Sequence, residues 1–317
     1  MLYVDDILLC SQDPRALSAV KDQLAKEFPI KDLGERSSFL GMDVQRTPSG
    51  MLLSQPGYTK RLLERFGMSD CYASKTPMEV CPPRDLVGPC IVDKYPYREL
   101  VGALMYLMLC SRPDLSAAVN FYSRFQSSAT KPQWEGLKRV LRYLKGTPNI
   151  GLLYEVRPGS PPLVCYADAD WAEDTTDRKS TTGFLLEVFG CPVMWTTRKQ
   201  TIVAGSSTEA EYVALASACV ELVWLKNVLL DIVGVDFTPV PVYEDNQSVI
   251  LCLAKCELKR LKAIDVKYHL SKHLNDEGVI NVRYVPSSEQ KADFLTKPLS
   301  RVKFARQCDL NSLVICA

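Results

Sequence analysis

The stretch Val164-Cys-Tyr-Ala-Asp168-Ala-Asp170-Trp171 restricts the fold more than any other part of this chain. Apolar residues alternate along it as in a β-strand, and the strand runs straight into two carboxylates. Such a strand end suits a hard divalent cation, which takes oxygen ligands. By the period-two rule Val164, Tyr166 and Asp168 share a face, and Asp170 points the same way if the strand continues, so the strand offers two candidates.

Three more acidic stretches follow at wide spacing, each at a strand end or a helix start. They are Ser206-Ser-Thr-Glu209-Ala-Glu211-Tyr212, Glu244-Asp245-Asn246-Gln247-Ser248 and Gln290-Lys-Ala-Asp293-Phe-Leu-Thr-Lys297. Between them the pattern predicts strands over Phe184–Phe189 and Pro192–Thr197 around Gly190, then a long helix from Ser207 to about Val233. A strand over Val240–Glu244 and another over Val279–Val285, closed by Pro286, complete the set. Ser287 and Gln290 are expected to cap a short last helix that carries Asp293. Each carboxylate also has a plain structural role open to it. Asp245 is a good N-cap, and Glu209 and Glu211 both fit a capping box. Helical period does not separate the two glutamates, because Glu211, Leu215, Ala218, Leu222 and Glu209, Val213, Ala216, Val220 both trace apolar faces.

In chain order, YADADW, DRKSTTGF, KQTIVAGSSTEAEY, EDNQS, IDVKYH and YVPSSEQKADFLTKPL resemble the ribonuclease H domain of copia-type LTR retrotransposons. The resemblance implies an α/β fold over residues 159–299, a mixed five-stranded sheet with helices on both faces. It implies a metal-dependent endonuclease that hydrolyses the RNA strand of RNA–DNA hybrids, as part of a larger Pol polyprotein. It puts the metal ligands at Asp168, Glu211, Asp245 and Asp293 and leaves Glu209 to capping. The implied cofactor is two Mg²⁺ ions, with Mn²⁺ as a substitute. The chemistry agrees with that ligand set. Phosphodiester hydrolysis needs an activated water and a stabilised leaving oxygen, which two cations roughly 4 Å apart supply, and such ions prefer carboxylates to Cys or His.

The first residues read strand, turn, strand around Asp5 and Asp6, and two adjacent aspartates are costly there as plain structure. YVDD resembles the metal-binding hairpin of reverse transcriptases; KDLGERSSFLGMDV and LSQPGYTKRLLERFGM resemble the segment after it. That family completes its site with a third aspartate on an earlier strand. Residues 1–95 are therefore expected to be a truncated palm remnant with a vestigial Asp5–Asp6 site and no polymerase activity, 70–95 within it being a linker or extended arm. Helices predicted near 97–111, 113–127 and 131–145 make residues 96–158 a helical connection, and 300–317 is left as a tail.

Cys252, Cys256, His269 and His273 have the spacing of a two-Cys, two-His zinc module. The cysteines, however, fall in a stretch that reads as helix, where a finger needs a hairpin knuckle. The same region departs from the copia pattern at Leu258 and Ala263, where the family carries histidines. Lys259, Arg260, Lys262 and Lys267 keep it basic, so contact with a nucleic-acid backbone is expected there. A catalytically inactive, nucleic-acid-binding relic is the alternative to the enzyme.

A net charge of +1 gives no global pull towards nucleic acid, so binding must come from local patches or bound cations. Twelve irregularly spaced cysteines read as thiols of a reducing compartment, the cytoplasm or the nucleus. No membrane partner and no signal peptide are expected, since Asp5 and Asp6 interrupt the apolar start at once.

Overall fold

The computed structural model describes residues 2–34, 38–84, 86, 88–155, 157–172, 174, 177–254 and 266–315. It divides into two units, residues 1–39 and 40–317. In the first, strands β1 (Leu2–Tyr3) and β2 (Asp6–Ile7) form an antiparallel hairpin, pairing Tyr3 with Asp6. Its turn falls at Val4 and Asp5, one residue earlier than the Asp5–Asp6 turn expected, with Val4 at φ 50°. Helix α1 (Pro14–Glu27) is capped by Asp13, whose carboxylate accepts the Arg15 N–H, and strand β3 (Ser38–Phe39) ends the unit.

In the second unit, β4 (Met42–Arg46) and β5 (Gly50–Ser54) make a hairpin followed by α2 (Pro56–Arg65). Helices α3 (Tyr97–Cys110), α4 (Ser116–Ser123) and α5 (Lys131–Gly146) form the connection. The middle one is shorter than predicted, because Pro113–Leu115 forms a separate 3₁₀ turn. Strands β6 (Ile150–Glu155), β7 (Leu163–Asp170), β8 (Thr181–Val188) and β9 (Cys191–Lys199) come next. Then follow α6 (Ser207–Val233), β10 (Val240–Glu244), α7 (Gln247–Ala254), α8 (Leu270–Asp276), β11 (Ile280–Tyr284), α9 (Asp293–Thr296), α10 (Arg301–Leu310) and β12 (Leu313–Ile315).

The main sheet is mixed and five-stranded, in the order β11-β10-β7-β8-β9. Strands β7, β8 and β9 run antiparallel, whereas β10 is parallel to both β7 and β11. Parallel neighbours need a crossover, and α6 supplies the one between the hairpin strands and β10. One face of the sheet, with Leu163, Cys165, Ala167, Val240 and Val242, packs on Tyr212, Leu215, Cys219 and Leu222 of α6. The other face, through Leu185 and Trp195, joins a core built from α3, α4, α5, α9 and α10. Helices therefore cover both faces, as expected of a ribonuclease H-like sheet. Helix α6 is long and apolar enough to cross a bilayer, with a mean hydropathy of 1.7. Its Tyr212, Leu215, Ala218, Cys219 and Leu222 are buried against the sheet, as in a core helix.

Two stretches differ from the sequence expectation. The arm 70–95 holds no helix or strand in its described residues, yet Thr76, Pro77, Met78 and Ile91 are buried and Ile91 N–H donates to Ala129 O. The expected tail instead forms α10 and β12, and β12 pairs with β6, which pairs with β5, as one antiparallel sheet. Phe304, Cys308 and Leu313 provide the burial that holds it.

Candidate metal centre

Asp168 lies near the end of β7, opposite Gly183 of β8, and is 1% exposed. Its face of β7 is the one covered by α9, where the Thr296 hydroxyl donates to its Oδ2. That close approach depends on Gly183, because a Cβ there would stand 2.5 Å from Thr296 Cγ2 and 3.0 Å from Leu295 Cβ. The turn before α9 is tied to the same strand. In place of the Ser287–Gln290 cap expected, Gln290 Nε2 donates to Ala167 O at 2.8 Å and its Oε1 accepts the Ala292 N–H at 3.3 Å just before α9, whose N-cap residue Ala292 offers no side-chain cap.

Asp245 arrives by register. β10 pairs Val242 with Cys165 and Tyr243 with Tyr166, so two further steps along the parallel pair bring residue 245 beside Asp168. Glu211 comes from the opposite face of the sheet. The start of α6 can approach β7 because Ala210 and Ala214 pack on Ala169 and Ala204, a patch of small side chains. The other glutamate is occupied elsewhere. Ser206 Oγ accepts the Glu209 N–H at 3.2 Å and Glu209 Oε2 accepts the Gly205 N–H at 2.6 Å, a reciprocal cap at the helix start.

These elements bring Asp168, Glu211 and Asp245 together, so that one carboxylate oxygen of each lies within 4.8 Å of the others. Asp293, in the first turn of α9, stands next to this trio and is paired with Lys297 at 2.5 Å; Lys297 Nζ is also 3.8 Å from Asp168 Oδ2. Asp170 is buried opposite Thr181 and lies outside the trio.

The electrostatics are those of carboxylates crowded away from water. Burial, followed by the nearby Asp293 and opposed by Lys297, pushes the Asp168 carboxyl up to about 6. Burial first, then Asp168, Glu244 and Asp245, raise Glu211 well above the ordinary range. Glu211 Oε2 is buried with no hydrogen-bond partner. An all-oxygen donor set with an orphaned buried carboxylate oxygen fits a hard divalent cation such as Mg²⁺.

Residues 1–80 match the family model described as reverse transcriptase (RNA-dependent DNA polymerase). Over 307 residues, 96% of its length, the chain is 39% identical to the retrovirus-related Pol polyprotein from transposon RE1 of Arabidopsis thaliana. It is 32% identical to a putative transposon Ty5-1 protein of Saccharomyces cerevisiae over 225 residues, 70% of this chain and 72% of that protein. This chain belongs to the copia-type retrotransposon Pol family. As a Pol chain it spans about a fifth of the RE1 polyprotein, 21% of its length. Among solved structures, LC11-RNase H1 isolated from compost is similar over 43% of this chain and 94% of its own, at 19% identity and TM-score 0.34.

The other candidates of the Pol chain lie elsewhere. Asp5 and Asp6 are exposed on the hairpin of the first unit. Cys256, Lys259, Arg260 and Lys262 lie outside the described residues, and of Lys267 only the backbone is described, in the 3₁₀ turn Val266–His269. Cys252 sits on helix α7, while His269 Nδ1 is 3.0 Å from the Tyr212 hydroxyl. The ten described cysteines are free thiols.

Three residues of the centre escaped the sequence reading. Glu244 is fully buried at the end of β10, where Oε1 accepts the Asn246 N–H at 2.9 Å and Oε2 has no partner. The period-two rule carried a signal for it, because Val240, Val242 and Glu244 share the face under α6, towards Glu211. Thr296 and Lys297 carried none, since only the fold of α9 onto β7 brings them to Asp168.

Proposed function

We propose that this chain is a divalent-metal-dependent endonuclease that hydrolyses the RNA strand of RNA–DNA hybrids, as the ribonuclease H part of a retrotransposon Pol polyprotein. The convergence of Asp168, Glu211 and Asp245 from a strand, a helix and a strand end is the observation that carries the reading. Asp168 and Asp245, on neighbouring parallel strands, would be the central ligands; Glu211 would hold an ion from α6 and Asp293 from α9. Bound Mg²⁺ would supply an activated water and stabilise the leaving oxygen. The chain's own contribution is to fix the ligands. The Thr296 hydroxyl holds one Asp168 oxygen in place, the Glu209 cap fixes the start of α6, and the Gln290 amide ties the approach to α9 onto β7. Asp5 and Asp6 belong to no group of three metal-ligating side chains among the described residues, and polymerase activity is no part of the proposal.

Purified chain incubated with a labelled RNA–DNA hybrid tests the reading. Mg²⁺-dependent cutting of the RNA strand is expected, with a loss of about 100-fold or more in Asp168→Asn and in Asp245→Asn, and with DNA duplex left intact because the 2′-OH distinguishes the strands. An inactive relic would cut nothing before mutation. Cleavage that survives both substitutions together would refute the site.

A further inference from the structure

Around Asp168 the fold gathers four other carboxylates, those of Glu211, Asp245, Asp293 and Glu244, and threads one ammonium among them. Lys297 Nζ lies 2.5 Å from Asp293 Oδ1 and 3.8 Å from Asp168 Oδ2, bridging a helix and a strand. Two carboxylates this close favour the charged form of the amine. The Lys297 side chain is still 31% exposed, which leaves its flexible four-carbon stem a way out towards solvent. Elsewhere in the cluster the buried Glu211 and Glu244 Oε2 atoms have no hydrogen-bond partner.

We propose that Lys297 is a tethered counter-cation that occupies the Asp168–Asp293 side of the centre until a second divalent ion displaces it. An ion shared by Asp168 and Asp293 needs the space that the ammonium fills, and two cations cannot occupy one pair of carboxylates. The first ion meets less opposition, because within the Asp168–Glu211–Asp245 trio the ammonium lies 3.8 Å from Asp168 Oδ2 and Glu211 Oε2 has no partner. The two sites are therefore unequal before substrate arrives: one ion binds readily and the second must expel Lys297. This inference rests on the metal-centre reading of the proposed function.

Binding measured without nucleic acid tests it on the full chain. Calorimetric titration of the unmutated protein with Mn²⁺ should give one tight site and a second at least about tenfold weaker. Lys297→Met should tighten the second site about tenfold or more, while Lys297→Arg, which keeps the charge, should stay closer to the unmutated chain. In parallel, ¹⁵N-lysine NMR of the unmutated chain follows the ammonium on titration with Mg²⁺, a readout that needs no variant to fold. The Lys297 signal should move with the second equivalent and not with the first. A Lys297→Met protein whose second site is no tighter, or an ammonium signal unmoved at saturating Mg²⁺, would overturn the lysine proposal alone. An unmutated chain that binds no divalent ion would overturn the metal centre as well.

Discussion

At the scale of single residues, burial first and then the crowding of like charges make the centre costly in the metal-free protein. The Asp168 carboxyl is pushed up to about 6, so between pH about 4 and 6 the native chain keeps a proton that the unfolded chain has lost. Stability in EDTA should therefore fall as pH rises through that window, by about 1–3 kcal/mol from this group, and Glu211 and Glu244 are shifted in the same direction. Denaturant melts at pH 4.5 and pH 7.5, with EDTA or Mg²⁺, measure it, and Mg²⁺ should remove most of the loss. A second expectation separates neighbouring glutamates. Glu211→Gln should abolish hybrid cleavage and leave the metal-free fold as stable or slightly more so, whereas Glu209→Gln should keep most cleavage and lose roughly 0.5–1 kcal/mol with the cap. A hybrid-cleavage assay paired with urea melts tells the two patterns apart. Strand and helix period left Asp170 and Glu209 as rivals in the same strings, and the resemblance pointed to Asp168, Glu211 and Asp245, the three carboxylates that the fold brings together. Glu244 was hidden by its neighbour: adjacent strand residues face opposite sides, and only knowing that α6 covers the Val240–Val242 face turns that glutamate inwards.

At the scale of elements, the fit of α9 against β8 decides whether Thr296 reaches Asp168. Gly183→Ala should push α9 outwards and cost about 1–3 kcal/mol, since the new methyl meets the Thr296 and Leu295 side chains at 2.5 and 3.0 Å. Thermal melts give the cost, and cleavage by the same protein should drop more than that of an equally destabilised variant distant from α9. Elements with strong local signals were legible. Helix α6 came out at its observed bounds, for Ser206 caps its start and Gly234 ends it in the left-handed conformation at φ 72°. Strands β6 and β12 were missed because their stability comes from each other and from β5, far away along the chain. The short helix α9 was expected, but its N-cap is Ala292, and Gln290 bonds the Ala292 N–H with its oxygen and β7 with its amide nitrogen.

For the whole molecule, the connection and the sheet share one core. Trp195 of β9 donates to Met108 O of α3 at 2.8 Å, and Asn120 of α4 donates to Thr197 O at 3.0 Å. A fragment of residues 159–299, the stretch that motifs alone would select as the nuclease, would lay bare Leu185, Trp195, Phe294 and Leu295. It should aggregate or bind hydrophobic dyes, whereas residues 40–317 should unfold in one cooperative step, which calorimetry and size-exclusion chromatography can check. Motif order located the strands of the main sheet well, but it says nothing about what covers the far face of a sheet.

That shared core also bears on synthesis at the ribosome. Helices α3, α4 and α5 precede β7 in the chain, so part of the cover for one face of the sheet emerges before the strands, and α9 and α10 complete it last. Strands β7, β8 and β9 follow one another in the chain and pair antiparallel, so they can join that platform as they appear, while β10 must wait for all of α6 before it can add in parallel. Asp168 is thus in place early, Asp245 comes later, and Asp293 reaches the acidic cluster last, with the helix that completes the cover of its face.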